Sequence, residues 1–148
     1  MTARAASWVE VADRLAAARN YWLGTCGPAG KPHAVPVWGA VLDHGLYLFT
    51  ARETAKARHV SANPGVVVHL ESAEDVVIVN GTLEDLGLPQ AHADVLAALE
   101  EKYSAPRDAR YLPSNDAYFD VLWRLRPRRA MLWRLDDYDA SQARWAGS

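Results

Sequence analysis

Short runs in which apolar and polar residues alternate fill the chain between residues 21 and 86, and each run predicts a β-strand. The predicted strands are 21–26, 31–39, 46–50, 66–71 and 76–86. The segments 27–31 and 42–45 have the glycine-containing composition of tight turns. Because these connections are short, the first three strands are predicted to follow one another as an antiparallel meander.

Three segments depart from this alternation and predict helices. Ser7 and Glu10 have the spacing of a capping box, and apolar residues then recur at helical intervals over about 7–19. Thr54 is a suitable N-cap for a short helix that an Asn-Pro pair ends. The segment 89–104 has a proline near its first turn and an apolar face, which predicts a longer helix.

The remainder of the chain predicts further strands. Residues 105–116 are rich in Pro, Asp and Arg and predict a loop. The segments 118–127 and 129–135 predict strand interrupted at Pro127, and a mostly polar tail, 136–148, follows. Six or seven short, mostly antiparallel strands with few helices favour a closed barrel or a sandwich.

Composition narrows the class of protein. A length of 148 residues, half of them hydrophobic, suits one domain spanning 1–148 with a real core. A net charge of −2 lacks the basic excess of a nucleic-acid-binding protein. The N-terminal segment has no apolar core of signal-peptide length, and no window approaches a membrane span. With Cys26 as the only cysteine, we expect a soluble protein of the reducing cytoplasm.

Pro36 is unusual for a residue in the middle of an apolar strand. Proline cannot donate a ladder hydrogen bond, and it is normally confined to edge strands, strand ends and bulges. One interpretation is that Pro36 and Trp38 line a flat apolar slot in which backbone groups meet the edge of a ring. The other is an edge strand with a packing tryptophan, and the sequence favours neither.

The segment TARETAKAR is the best candidate for an anion site. It places Arg52, Lys56 and Arg58 around the helix start predicted at Thr54, where free N–H groups and the positive end of the helix dipole favour negative charge. The hydroxyl of Thr50 adds a donor. A solvated basic helix face is the alternative, and on spacing alone it is the more usual one.

Other reactive side chains give weaker signals. The five histidines lack the spacing of metal ligands, so we expect no metal site. Cys26 fits a small core residue better than a nucleophile. The sequence contains no G-x-S-x-G, Walker or G-x-G-x-x-G motif. Trp22, Trp123 and Trp133 lie on predicted strands and are candidate anchors of a subunit interface.

Several stretches in order resemble the pyridoxamine-5′-phosphate-oxidase-like flavin and deazaflavin oxidoreductases. They are YWLGTCGPAGKPHAVPVWG, LYLFTARETAKARHVSANPGVVVHLE and VVIVNGTLEDL. Together with the ARW near the C-terminus, they are most similar to the deazaflavin (F420)-dependent branch. The resemblance runs from about residue 8 to the end of the chain.

This resemblance implies a mainly β fold, a six- to seven-stranded antiparallel split β-barrel of the FMN-binding type with flanking helices. It implies a homodimer with the cofactor in a groove between subunits. Lys56, with Arg52 and Thr50, would hold the cofactor phosphate, and the backbone around residues 36–38 would lie against the ring system. The implied cofactor-binding residues are Pro36, Val37, Trp38, Thr50, Ala51, Arg52, Thr54, Lys56 and Arg58.

The implied activity is hydride transfer from reduced F420 to a small conjugated or heterocyclic acceptor. A flavin mononucleotide (FMN)-dependent oxidase or reductase is one alternative, and a non-catalytic cofactor- or heme-binding protein is another. No side chain stands out as a catalytic proton donor. Pyridoxamine-phosphate oxidases end in an Arg-Leu-x-Pro segment, whereas here RLRP lies at 124–127 and a further predicted strand follows. Vitamin B6 oxidation is therefore not expected.

Overall fold

The computed structural model describes residues 3–148, which form nine strands and five α-helices. Met1 and Thr2 lie outside the described residues. The predicted domain 1–148 and the N-terminal segment predicted to lack a signal-peptide core both include these two residues. The strands are β1 (Arg4–Ala5), β2 (Tyr21–Cys26), β3 (Pro32–Val37), β4 (Gly39–Leu42), β5 (Gly45–Thr50), β6 (Gly65–His69), β7 (Asp75–Asp85), β8 (Val121–Arg134) and β9 (Ala143–Ala146). The helices are α1 (Trp8–Ala16), α2 (Ala55–Ala62), α3 (Ala93–Lys102), α4 (Pro106–Ala109) and α5 (Tyr138–Ser141).

All nine strands belong to one mixed sheet. Its order is β1-β9-β8-β7-β6-β2-β3, and β5 pairs with both β4 and β8. The mainly β split-barrel prediction is confirmed in its class, with flanking helices. The described sheet is not closed by hydrogen bonds, it has nine strands rather than six or seven, and β1 pairs parallel to β9. Two predicted segments merge into β8, and three strands were not indicated by the sequence, namely β1, β4 and β9. These three have only two to four residues each, which is too short to give a periodic pattern.

The predicted meander is only partly correct. β2 pairs antiparallel with β3 across the predicted turn at 27–31, and β4 pairs with β5 across a turn in which Asp43 and His44 have positive φ. The strand predicted over 31–39 is interrupted at Trp38, however, and β5 pairs with β8 instead of β3. β3 therefore forms an edge, which is where a proline such as Pro36 is tolerated.

The interruption predicted at Pro127 is a bulge inside one continuous strand. β8 runs past Pro127, and its pairing with β7 shifts by one residue between Asn80 and Gly81. The extra residue lets the strand bend without ending. A Cβ on Gly81 would lie 2.3 Å from the carbonyl oxygen of Arg126, so only glycine fits this close approach.

The predicted helix starts are confirmed at α1 and α2. The Ser7 hydroxyl accepts from the N–H of Glu10, and the Thr54 hydroxyl accepts from the N–H of Ala57. α1 ends at Ala16, before the predicted limit of 19. These starts were predictable because a cap depends on residues within one turn of each other.

The late helical region differs from the prediction in two places. The segment 89–104 is a 3₁₀ turn (Pro89–Ala91) followed by α3, with a break at His92, where the backbone is not helical. The predicted loop 105–116 contains the short helix α4, which starts at Pro106. Proline at the first helical position is favourable because its missing N–H has no partner there anyway.

Two clusters of buried apolar side chains lie against the sheet. The larger packs α1 against the sheet and includes Leu15, Leu23, Val68 and Val79. The smaller gathers α3, β5 and the loop after α4 around Tyr103 and Leu112. Trp123 belongs to the larger cluster and is only 2% exposed, so its predicted role as an interface anchor is wrong.

The described helices are also short. None of those within residues 3–148 is long and apolar enough to cross a bilayer.

Candidate functional site

A groove of about 510 Å³ lies where the end of β3, the end of β5, the start of α2 and the loop before β8 meet. It has a largely aromatic and apolar lining with a few polar groups, as small-molecule sites do. The lining residues are Asn20, Pro36, Val37, Trp38, Phe49, Thr50, Lys56, Tyr111 and Phe119. Five of the nine predicted cofactor-binding residues therefore share one groove.

The first turn of α2 presents unsatisfied backbone donors beside this groove. Thr54 is the N-cap, and its hydroxyl donates to the Ala51 carbonyl at 2.7 Å. The N–H groups of Ala55 and Lys56 have no acceptor among the hydrogen bonds formed by residues 3–148. Free N–H groups at a helix start favour an anion. Ala51 is buried and does not line the groove.

Lys56 is a half-buried cation at the groove wall. No carboxylate lies within ion-pair distance of its ammonium group in the described part of the chain. Burial lowers the pKa of Lys56 below its ordinary value, and no acidic neighbour compensates for this desolvation. An anion in the groove would supply the missing partner.

The other two predicted cations point elsewhere. The Arg52 guanidinium makes two hydrogen bonds to the Asp85 carboxylate, at 2.7 and 2.9 Å, and lines a neighbouring crevice. The Arg58 guanidinium is exposed and donates to the Glu53 carbonyl at 2.6 Å. In this structure Lys56 is the one cation, among the described residues, that lines the groove.

Trp38 forms one wall of the groove and is held on its far side. Its ring stacks on Tyr103 with centroids 4.2 Å apart and planes 8° from parallel. The Arg19 guanidinium lies 5.4 Å from the centroid of each ring. The Tyr103 hydroxyl accepts from the N–H of Gly39 and donates to the Arg19 carbonyl, at 3.1 and 2.6 Å. The tryptophan is thus fixed by Tyr103, the buried residue that directly follows α3.

The last residue of α3, Lys102, fixes the backbone next to Trp38. The Lys102 ammonium donates to the Gly39 carbonyl at 2.7 Å and to the Tyr21 hydroxyl at 2.8 Å. Burial, followed by repulsion from Arg19, lowers the pKa of Lys102 to about 8. Burial raises the pKa of Tyr103 to about 12 and that of Tyr21 as well. Both phenols are therefore neutral hydrogen-bonding groups near pH 7.

A wider cleft of about 1170 Å³ is lined by the end of β2, the start of β3 and the bulge at which β7 pairs with β8. His33 lies in its wall, and the buried Nδ1 atom of His33 has no hydrogen-bond partner among residues 3–148. None of the predicted cofactor residues lines this cleft. Within residues 3–148, no group of three or more His, Cys, Asp or Glu side chains is placed to hold a metal ion.

Sequence reasoning missed four residues of the groove. Asn20, Phe49, Tyr111 and Phe119 come from three separate parts of the chain. Phe49 directly precedes Thr50, the first residue of the TARETAKAR segment, so its position near the anion site could have been predicted from the sequence. Nothing local distinguishes Asn20, Tyr111 or Phe119, because only the tertiary fold brings these distant segments to the groove.

The chain is similar to a known protein family and to several solved structures. A family model described as pyridoxamine 5′-phosphate oxidase matches residues 8–134. No curated protein matches the chain. The solved structure of a conserved hypothetical protein from Mycobacterium tuberculosis has a TM-score of 0.74 and 29% identity, covering 91% of this chain and 89% of that one.

Two further solved structures are similar in fold. One described as an F420 reductase has a TM-score of 0.63 and 24% identity, covering 80% of this chain and 94% of that one. A heme-binding protein from Mycobacterium smegmatis has a TM-score of 0.67 and 21% identity, covering 88% of this chain and 55% of that one. Because the family model matches most of the chain, the chain belongs to the pyridoxamine 5′-phosphate oxidase family.

Proposed function

We propose that the groove binds a phosphate-bearing ring cofactor of the flavin type, and that the protein is an oxidoreductase that uses it. The observation that carries this proposal is Lys56, a half-buried cation without an ion-pair partner in residues 3–148, in the same groove as Trp38 and Pro36. Lys56 and the free N–H groups of α2 would bind the phosphate. The aromatic wall would hold the ring by stacking and exclude water from its face.

Reduced deazaflavin F420 is the cofactor we propose, and when bound it supplies a hydride to a small conjugated or heterocyclic acceptor. Two sources support this choice: the sequence resemblance to the deazaflavin-dependent branch and the fold shared with an F420 reductase. The chain's own residues bind and orient the cofactor. Exposed Arg58, two residues beyond Lys56, is a candidate contact for the acidic tail of the deazaflavin.

FMN is the second candidate, and one feature of the groove favours it. Arg52 pairs with Asp85 and Arg58 contacts Glu53, which leaves Lys56 as the cation in the groove. One cation suffices for the single phosphate of FMN. Two of the structural neighbours are described as heme-binding or heme-storage proteins, so hemin is a third ligand for comparison.

Titration of the purified protein with F420, FMN and hemin, followed by absorbance and fluorescence, distinguishes these candidates. We expect F420 to bind more tightly than FMN by about 1.4- to 5-fold, the contribution of one exposed ion pair. That advantage should shrink at high salt, because exposed contacts to the tail are screened. If FMN binds as tightly as F420 or more tightly, and with the same salt dependence, FMN is the cofactor and the F420 proposal is wrong. If hemin is the one ligand of the three that binds tightly, the protein is a heme-binding protein and the oxidoreductase proposal is wrong.

We also propose a homodimer that forms through one face of the sheet. Five mostly apolar residues are paired across five neighbouring strands on this face, and none of them is fully buried. A contiguous exposed apolar patch of this kind indicates an interaction surface. This apolar stripe consists of Pro36, Trp22, His69, Ile78 and Met131. Pro36 belongs to both the stripe and the groove, so a partner seated on the stripe would lie beside the groove. Of the predicted anchors, Trp22 lies on the stripe.

Ile78→Asp is expected to convert a dimer to a monomer at micromolar concentration. The substitution places a charge within the stripe, where a partner would remove it from water without pairing it. Sedimentation velocity measures the change. Leu88→Asp is the matched control, because Leu88 is 59% exposed and lies outside the stripe. A monomeric wild type, or a dimeric Ile78→Asp variant, would contradict this interface.

A further inference from the structure

Asn20 is a groove residue that lies outside the sequence motifs. It lies just before β2, is half-buried and lines the groove beside Trp38. Its Oδ1 atom accepts a hydrogen bond from Nε1 of Trp38 at 2.9 Å. This one contact decides which way the amide points.

An indole N–H can only donate, so the amide atom that meets it must be the carbonyl oxygen. The Nδ2 atom of Asn20 is then turned away from Trp38, with two N–H donors. Among the side-chain hydrogen bonds formed by residues 3–148, none involves this Nδ2 atom. A half-buried amide with unused donors in a groove is prepared to bind an acceptor.

The amide is also held in place before any ligand arrives. Trp38 cannot swing away easily, because its ring is stacked on Tyr103, which is 0% exposed. Tyr103 is in turn anchored to the Gly39 backbone. A donor whose position is fixed in advance loses little freedom on binding, which favours affinity and selectivity.

We propose that Asn20 is a binding residue whose Nδ2 N–H groups donate to a carbonyl oxygen on the edge of a flat ring in the groove. A neutral donor matches a neutral carbonyl, whereas the anion of the ligand would be bound by Lys56 at the start of α2. Rings whose edge carries a carbonyl are therefore selected over rings of similar size without one. The inference rests on the proposed function in so far as a ring occupies the groove.

Asn20→Asp and Asn20→Ala test this role with three probes, namely F420, FMN and phosphate-free riboflavin. Asp keeps the acceptor for Trp38 but replaces the donors with a carboxylate oxygen, so we expect at least about tenfold weaker binding of all three. Ala removes one hydrogen bond between neutral groups, which should raise the dissociation constant by about 2- to 13-fold. Asn63→Asp makes the same chemical change at an exposed residue outside the groove and should leave binding unchanged.

The pH dependence separates a donor from a merely structural residue. A protonated Asp is again a donor, so binding by the Asn20→Asp variant should improve relative to Asn20→Ala as the pH falls from 8 to 5. Equal losses in the two variants at every pH, or no loss in either, would overturn the role of Asn20. If Lys56→Ala binds FMN like the wild type while the Asn20 variants fail, the phosphate contact is wrong and this inference stands. If the wild type binds none of the probes, both the proposed function and the proposed role of Asn20 are wrong.

Discussion

Lys56→Ala is expected to weaken binding of the phosphate-bearing cofactor by roughly tenfold to a hundredfold. A hydrogen bond to a charged group contributes about 1.5–3 kcal/mol, which corresponds to that range of dissociation constant. The free energy of unfolding should not fall, because Lys56 is buried at a cost and has no ion-pair partner in residues 3–148 that its loss would leave unpaired. Fluorescence titration and urea unfolding measure the two quantities.

The pH profile gives Lys56 a signature of its own. Because the pKa of Lys56 is lowered in the folded protein, its ammonium form is lost at a lower pH than that of a lysine in water. Binding should therefore be strong below this lowered pKa and should weaken as the pH rises through it. Lys56→Arg is the matched control, because a guanidinium keeps its charge over this range and should bind without the alkaline loss.

The result that would contradict this site is specific. An unchanged dissociation constant for FMN and F420 in Lys56→Ala would place the phosphate elsewhere. Riboflavin, which has no phosphate, should bind the variant and the wild type alike, and a loss with riboflavin would show that the substitution disturbs the ring region instead.

Tyr103→Ala is expected to destabilise the protein by about 3–5 kcal/mol, the range for removing a buried aromatic side chain. Tyr103 is 0% exposed, packs in the smaller core cluster and stacks on Trp38. Its loss would leave a cavity directly behind the groove wall, so ring binding should weaken along with stability. Urea unfolding, with riboflavin titration below the transition, measures both effects.

Tyr103→Phe is the matched control for the ring. It keeps the stack on Trp38 but removes the hydroxyl, which leaves the buried N–H of Gly39 and the Arg19 carbonyl without this partner. A cost of about 1–3 kcal/mol is expected for such an unsatisfied group. If Phe proves as harmful as Ala, the hydroxyl and not the stacked ring holds Trp38 in place.

Caps, turns and alternating strands were readable from the sequence. Ser7 and Thr54 cap their helices as predicted, and the segments 21–26 and 76–86 form strands close to their predicted bounds. Each of these features depends on residues within a few positions of one another, so the local chemistry is sufficient.

Pairing and termination of strands were harder to predict. The continuity of β8 past Pro127 depends on the bulge formed with Gly81, which lies on another strand. The pairing of β5 with β8 joins residues more than seventy positions apart. No local pattern specifies such a partner, because the choice is made by burial of both faces and by the close packing of distant side chains.

The groove combines both kinds of information. The sequence by itself determined the local part of the groove, namely the strand segment that carries residues 36–38 and a capped helix start with Lys56, because both are set by neighbouring residues. Only the tertiary structure decided that Asp85 draws Arg52 away from the groove and that Asn20 meets Trp38. An ion pair or a hydrogen bond between distant segments requires the folded sheet to bring its two partners within about 3 Å of each other, and no spacing along the chain encodes that distance.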